Sequence, residues 1–180
     1  LQGDWSSDVC SSDLAGALST SNAKLITVSS LSVTAGSHGN AAGTLYAGTD
    51  ATLDLTSGAL TNTGSVAAAG NLTVQAVSLD STGTLAAGLN ADGSLKAFAP
   101  GGAALTVTTS GDLRATGTNL AAGAMTLSGA RIDLAGSQSS AHSAAITTAG
   151  ALSTGNAKLI TVSSLSVTAG SHGNAAGTLY

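Results

Sequence analysis

The 180-residue sequence predicts an all-β fold: a parallel β-helix, or β-solenoid, with coils of about 20 residues. Three observations lead there: a strand-and-turn composition, a short apolar period and a long near-identical repeat. Charged residues make up 8% of the chain and aromatic residues 2%, with 24 Gly, one Pro and no Glu. An average soluble domain carries about 25% charge. So low a charge, with positive mean hydropathy, argues against disorder. Gly, Thr, Ser and Val abound while long straight-chain helix formers are scarce, which disfavours helix. Strands and turns fit better. Two packed sheets need larger side chains to fill the space between them. A narrow solenoid does not.

Residues 1–14 differ in character from the rest of the chain. They hold the single Trp (Trp5), the single Cys (Cys10) and three of the nine acidic residues, Asp4, Asp8 and Asp13. The run from Asp4 to Leu14 matches a common sequencing adapter translated in one frame. The segment is therefore expected to be artefactual and disordered, and Cys10 carries no information about redox compartment. Without it six acidic residues face five basic ones, a net charge of −1. The start is then no natural N-terminus, and no apolar run approaches the roughly 20 residues of a membrane span.

Residues 15–180 form the expected solenoid region. Residues 15–46 recur as 149–180, an offset of 134, with Ser21 against Gly155 the single difference in 32 positions. This points to a tandem array of 134-residue units. Inside the unit runs a shorter period. Leu105-Thr106-Val107, Met125-Thr126-Leu127, Ala145-Ile146-Thr147 and Leu165-Ser166-Val167 follow at 20-residue steps. Upstream, Leu31-Ser32-Val33, Leu53-Asp54-Leu55 and Leu72-Thr73-Val74 continue it at 22 and 19. A 33-residue gap separates Leu72 from Leu105, and residues 90–102, with Phe98 and Pro100, read as a loop or insertion. A second motif, Gly43-Thr44-Leu45, Gly64-Ser65-Val66 and Gly83-Thr84-Leu85, with a looser form at Thr118-Asn119-Leu120, gives each coil a further strand.

Alternation along a strand turns Leu72 and Val74 inward, Thr73 and Gln75 outward. One coil cannot bury its inward face alone, so Leu105, Met125, Ala145 and Leu165 are expected to stack as a ladder about 4.8 Å apart. Eight or so coils give a rod of about 40 Å. Asn62, Gly64, Asn71 and Gly136 suit corners of positive φ. No capping coil is visible, so open strand edges predict aggregation of the isolated chain.

The stretch Gly70-Asn71-Leu72-Thr73-Val74-Gln75-Ala76, with Leu79-Asp80-Ser81-Thr82-Gly83-Thr84-Leu85-Ala86-Ala87-Gly88, resembles the repeats of filamentous haemagglutinins. So does the run from Ala124 to Ser137. The resemblance covers nearly all of residues 15–180. It implies a right-handed β-helix in a very large two-partner-secretion exoprotein, secreted to the bacterial cell surface. The implied partners are surface receptors or glycans of host or neighbouring cells, and an outer-membrane transporter engaged through an N-terminal domain that this chain does not match.

Candidate chemistry is sparse. His38 and His172 share one repeat position in Ser-His-Gly-Asn, which reads as an exposed turn, not a metal ligand or base. His142 completes the set, with no zinc-site spacing. Asp50, Asp54, Asp80, Asp92, Asp112 and Asp133 show no close pair and no calcium nonapeptide, and read as turn and surface groups. Lys24, Lys96, Arg114, Arg131 and Lys158 are scattered, without a basic stripe for nucleic acid. Gly101-Gly102 lacks phosphate-loop context, and no Ser sits in a nucleophile elbow. Asn71-Leu72-Thr73 fits a glycosylation acceptor by coincidence. The expectation is no catalytic, cofactor-binding or metal-binding residue, no cofactor and no enzyme.

The leading function is the shaft of a secreted surface adhesin, making multivalent contacts along its faces. The alternative is the stalk of a contact-dependent growth-inhibition toxin whose active domain lies elsewhere. An autotransporter passenger and a solenoid polysaccharide-processing enzyme rank below. The enzyme requires Asp, Lys or Arg gathered on one face, which the sequence does not display. An ice-binding solenoid ranks last, since no regular Thr-x-Thr row recurs.

Overall fold

The computed structural model describes residues 9–180, with side chains from residue 15 onward. These residues form seventeen strands and no helix. In chain order they are β1 (Val9–Ser19), β2 (Lys24–Thr27), β3 (Ser30–Asn40), β4 (Thr44–Ala47), β5 (Ala51–Asn62) and β6 (Ser65–Ala68). Then come β7 (Leu72–Ser81), β8 (Thr84–Ala87), β9 (Leu105–Thr109), β10 (Asp112–Ala115), β11 (Thr118–Gly129) and β12 (Arg131–Asp133). The last are β13 (Gln138–Thr148), β14 (Ala151–Ser153), β15 (Lys158–Thr168), β16 (Ser171–Gly173) and β17 (Thr178–Leu179). Every pairing between strands is parallel and joins one coil to the next, so the fold is the expected β-solenoid.

Each coil offers three strand positions. Some strands bend through two of them at a bulge, as β5 does between Leu55 and Ala59 and β11 between Ala121 and Ala124. The first position stacks Leu31, Ala51, Leu72, Leu105, Met125, Ala144 and Leu165. This corrects the sequence register twice. Ala144, not Ala145, faces Met125 and Leu165, and Ala51, not Leu53, faces Leu31 and Leu72. The corrected steps put Ile146 at the inward site expected of Thr147. Alanine is small enough to pass for either face, so the pattern slips there.

The second position stacks Leu18, His38, Leu60, Leu79, Leu113, Ile132, Leu152 and His172, eight levels in all. The third stacks Leu25, Leu45, Val66, Leu85, Asn119, Ser139, Leu159 and Leu179. Asn119, not Leu120, takes the inward site there. Leu, Val and Ala of these columns fill a single continuous core. No aromatic side chain is needed in it.

Residues 88–104 leave the coil path, so Leu72 pairs directly with Leu105 and Leu85 with Asn119. The excursion closes on itself through an antiparallel Leu89–Leu95 bridge. It packs on the outside of the third position, where Leu89 and Leu95 meet Tyr46, Ala67, Ala86 and Leu120. The Tyr46 hydroxyl donates to Leu89 O at 3.2 Å, and Lys96 Nζ to Ala69 O at 2.6 Å.

Positive φ falls at Asn22, Ala42, Asn156, Ala176 and at Gly88, Gly93, Gly101 and Gly136. Of the expected corners, only Gly136 is among them. Asn62 is instead fully buried, and Gly64 is required for space, since a Cβ there would collide with Gly43 O. Residues 1–8 of the expected artefactual segment lie outside the described residues. The backbone of 9–14 opens β1 and pairs with β3 from Val9–Ser30 to Leu14–Ala35. Main-chain pairing at a coil edge does not depend on side-chain identity.

Candidate functional site

Stacking gathers charge that the sequence scatters. Asp80, Arg114 and Asp133 occupy one outward column of the second strand position, and Asp112 and Arg131 the neighbouring one. Their separations of 34 and 19 residues are whole coils, the longer containing the excursion. Arg114 Nη1 donates to Asp80 Oδ1 at 2.8 Å, and Arg114 Nε lies 3.6 Å from Asp133 Oδ2. Arg131 Nη1 and Asp112 Oδ2 are 3.9 Å apart. All five side chains are 40–73% exposed, so each pair contributes at most about 1 kcal/mol.

The five line a shallow groove of about 580 Å³, flanked by the small residues Ala59, Ser78, Ala151 and Ser153. The expectation that no face carries gathered Asp and Arg is therefore corrected: coil periodicity creates one. Chemically the groove offers guanidinium donors between carboxylate acceptors, at near-neutral net charge. That suits hydrogen-bonding recognition of a polar surface.

The histidine reading is also corrected. His38 is not an exposed turn residue but 2% exposed, between Leu18 and Leu60 in its column. Its Nε2 lies 3.0 Å from Thr20 Oγ1, which donates to Asn40 Oδ1 at 2.8 Å. Asn40 Nδ2 donates to Asn62 Oδ1 at 2.8 Å, and Asn62 Nδ2 to Ser81 Oγ at 3.0 Å. A polar ladder thus climbs through the core, each rung satisfied by the next coil. His38 Nδ1 has no partner, and burial pulls the imidazole below its ordinary pKa. His172 repeats the contact, 2.7 Å from Thr154 Oγ1, but is exposed. His142 is half-buried with Nδ1 unpaired.

The other acidic groups serve the backbone. Asp50 Oδ1 accepts from Asn71 N at 2.7 Å and Asp54 Oδ1 from Thr56 N at 3.2 Å. The Ser94 hydroxyl and N–H hold the Asp92 carboxyl below its usual range. Lys24 and Lys158 occupy equivalent exposed positions at the start of β2 and β15. Gly101 makes a left-handed turn in the excursion and Asn71 braces it, its Oδ1 accepting from Ala104 N at 2.9 Å. Among the described residues, no three His, Cys, Asp or Glu side chains come together as a metal site.

No family model matches the chain, and no solved structure matches it significantly. Two curated proteins do. Toxin CdiA of Yersinia pestis is 46% identical over 103 residues, 56% of this chain. The tRNA nuclease CdiA-2 of Burkholderia pseudomallei is 46% identical over 65 residues, 36% of this chain. The matches span only 3% and 2% of those proteins. The nuclease's name overturns the expectation of no enzyme. That expectation rested on side chains within these coils, and a relative matched over 65 residues is named for a catalytic activity. This chain is thus similar, over part of its length, to a toxin and a tRNA nuclease that share the name CdiA, and its fold is a β-solenoid.

Proposed function

We propose that the chain is a length of the stalk of a contact-dependent growth-inhibition toxin, a large haemagglutinin-like protein secreted to the bacterial surface. The observation that carries the reading is the 46% identity to two proteins named as a toxin and a tRNA nuclease. The physics of the fold supports it. Parallel coils joined along their whole edges resist bending, and each added coil extends the rod by about 4.8 Å. Such a rod carries a toxic domain away from the producing cell. Residues 1–14 are, on this reading, adapter-derived and no part of the stalk.

Co-culture tests the proposal. A strain producing the intact protein is grown with a susceptible competitor, either mixed or separated by a filter permeable to protein. Inhibition only in mixed culture, lost on deletion of the gene, supports it. Cell attachment that depends on the gene without any inhibition would instead establish the adhesin.

A further inference from the structure

Both arginines of the chain, Arg114 and Arg131, line the charged groove. Two outward columns run along the rod there, on either side of the inward Leu60, Leu79, Leu113 and Ile132. One column carries Asp80, Arg114 and Asp133 on three successive coils, and the other carries Asp112 and Arg131 on two. Small residues follow at both ends, Ala59 and Thr61 at one and Ala151 and Ser153 at the other. The groove is therefore a trough about 19 Å long, with charged walls over its middle and open ends.

The charged heads are positioned without being used up. Arg114 is fixed between Asp80 and Asp133, and Asp133 Oδ1 also accepts from Ala135 N at 2.9 Å. Arg131 and Asp112, 3.9 Å apart, are beyond hydrogen-bond distance and keep their donors and acceptors for another partner. That partner must give hydrogen bonds to carboxylates and take them from guanidiniums within one short stretch. A hydroxyl does both. An anionic chain would meet three Asp against two Arg, and an apolar one would strip water from all five charges. A peptide strand finds no free main-chain edge, because coils on both sides already pair with Leu79, Leu113 and Ile132.

We infer that this trough is a binding site for an uncharged linear glycan lying along the rod axis. Its hydroxyls accept from Arg114 and Arg131 and donate to Asp80, Asp112 and Asp133, and the charge on one partner strengthens each hydrogen bond. The small Ala59, Ser78 and Ala151 leave room for sugar rings between the walls. No aromatic ring is among the lining residues, so a single site gains nothing from stacking and binds weakly. The inference is independent of the toxin reading, since the shaft of an adhesin or of a toxin can carry the site and the co-culture outcome does not bear on it.

The arginines themselves report on the site, because every arginine Nε–H resonance of the chain arises in the trough. The full chain is titrated with linear pentasaccharides of glucose, N-acetylglucosamine and mannose, and with pentagalacturonate and a chitosan pentamer as charged counterparts. At least one neutral pentasaccharide should shift both resonances saturably, with an affinity that changes less than about twofold between about 0.05 M and 0.5 M salt. Arg131→Ala, at a side chain 73% exposed and so dispensable to the fold, should weaken binding about tenfold, read at Arg114. Ser78→Trp, which fills the trough and keeps all five charges, should abolish it, while Lys24→Ala, outside the trough, should leave it unchanged. The inference is overturned if no neutral pentasaccharide shifts both resonances, if only the charged counterparts bind, or if binding falls steeply with salt. Binding indifferent to both Arg131→Ala and Ser78→Trp, or weakened as much by Lys24→Ala, overturns it as well.

Discussion

Residues 15–46 and 149–180 are one sequence in two situations. In the first, Leu31, Val33, His38 and Asn40 are buried; in the second, Val167 is 38% exposed and His172 and Asn174 lie open. The corners are common to both, with left-handed φ at the asparagine and alanine positions, while the strand bounds differ: β2 and β3 are separate where β15 runs through, and β3 is continuous where β15 and β16 part. The corners are thus set by the coil's own residues and the coil beneath. Burial is set by the coil above. Stability is then a sum over coil interfaces, as nearest-neighbour stacking requires, and equivalent substitutions in the two copies should have unequal consequences.

The largest inequality is expected for leucine. Leu31→Ala leaves a cavity beneath Ala51 and should cost about 2–5 kcal/mol. Leu165→Ala, half-buried at the open end, should cost under about 1 kcal/mol. Denaturant unfolding of both variants checks this. Equal losses would mean that the solenoid unfolds as one unit whose end coil is as tightly held as its middle.

The polar ladder comes next. Asn40→Ala removes the donor to Asn62 Oδ1, Gly43 O and Ser65 O inside the core and should cost about 1–3 kcal/mol. Asn174→Ala, at an exposed side chain, removes its bond to Gly177 O and the one it accepts from Thr154 Oγ1 and should change stability by under about 1 kcal/mol. A loss at Asn174 matching that at Asn40 would show that the open end is covered in solution, by self-association, which sedimentation would detect.

These copies also show what the sequence makes legible. The 20-residue period and the strand composition are enough for the fold, because Leu, Val and Ile recur at most inward sites. The register is less legible wherever alanine fills the column, as at Ala51 and Ala144. The buried histidine was recoverable: Leu18, His38 and Leu60 stand 20 and 22 residues apart. The local Ser-His-Gly-Asn run hides that spacing behind its resemblance to a turn. The charged groove was recoverable in part, since Asp112 and Arg131, like Arg114 and Asp133, stand one 19-residue coil apart. Asp80 and Arg114 become neighbours only once residues 88–104 are known to leave the coil path.

His38 gives the comparison a pH axis. Burial holds its folded pKa below the ordinary 6.5, so the folded protein binds this proton less tightly than the unfolded chain. Its contribution to stability is complete above about pH 6.5 and is lost as pH falls from there through the folded value. His38→Leu, between Leu18 and Leu60, should flatten the stability profile between pH 7 and pH 5. An unchanged slope in urea melts across that range would place the acid sensitivity elsewhere.

The smallest effect tests conformation rather than burial. Ala42 holds φ of 53°, which costs a residue with a Cβ about 1–2 kcal/mol, whereas glycine adopts it freely. Glycine also gives the unfolded chain more freedom, about 0.5–1 kcal/mol. The difference leaves Ala42→Gly stabilising by about 0.5–1 kcal/mol. The Ala42 N–H keeps its bond to Thr63 Oγ1 at 3.2 Å, in the turn between β5 and β6. At Ala176 the dihedral is 54° and the same strain is relieved, but that corner belongs to a coil open on one side, which frays before the rest unfolds. Relief there should slow local exchange around residues 174–178 and leave the global midpoint unmoved. If both alanines shift the midpoint equally, the two copies belong to one cooperative unit, and the coil above matters less than their unequal burial implies.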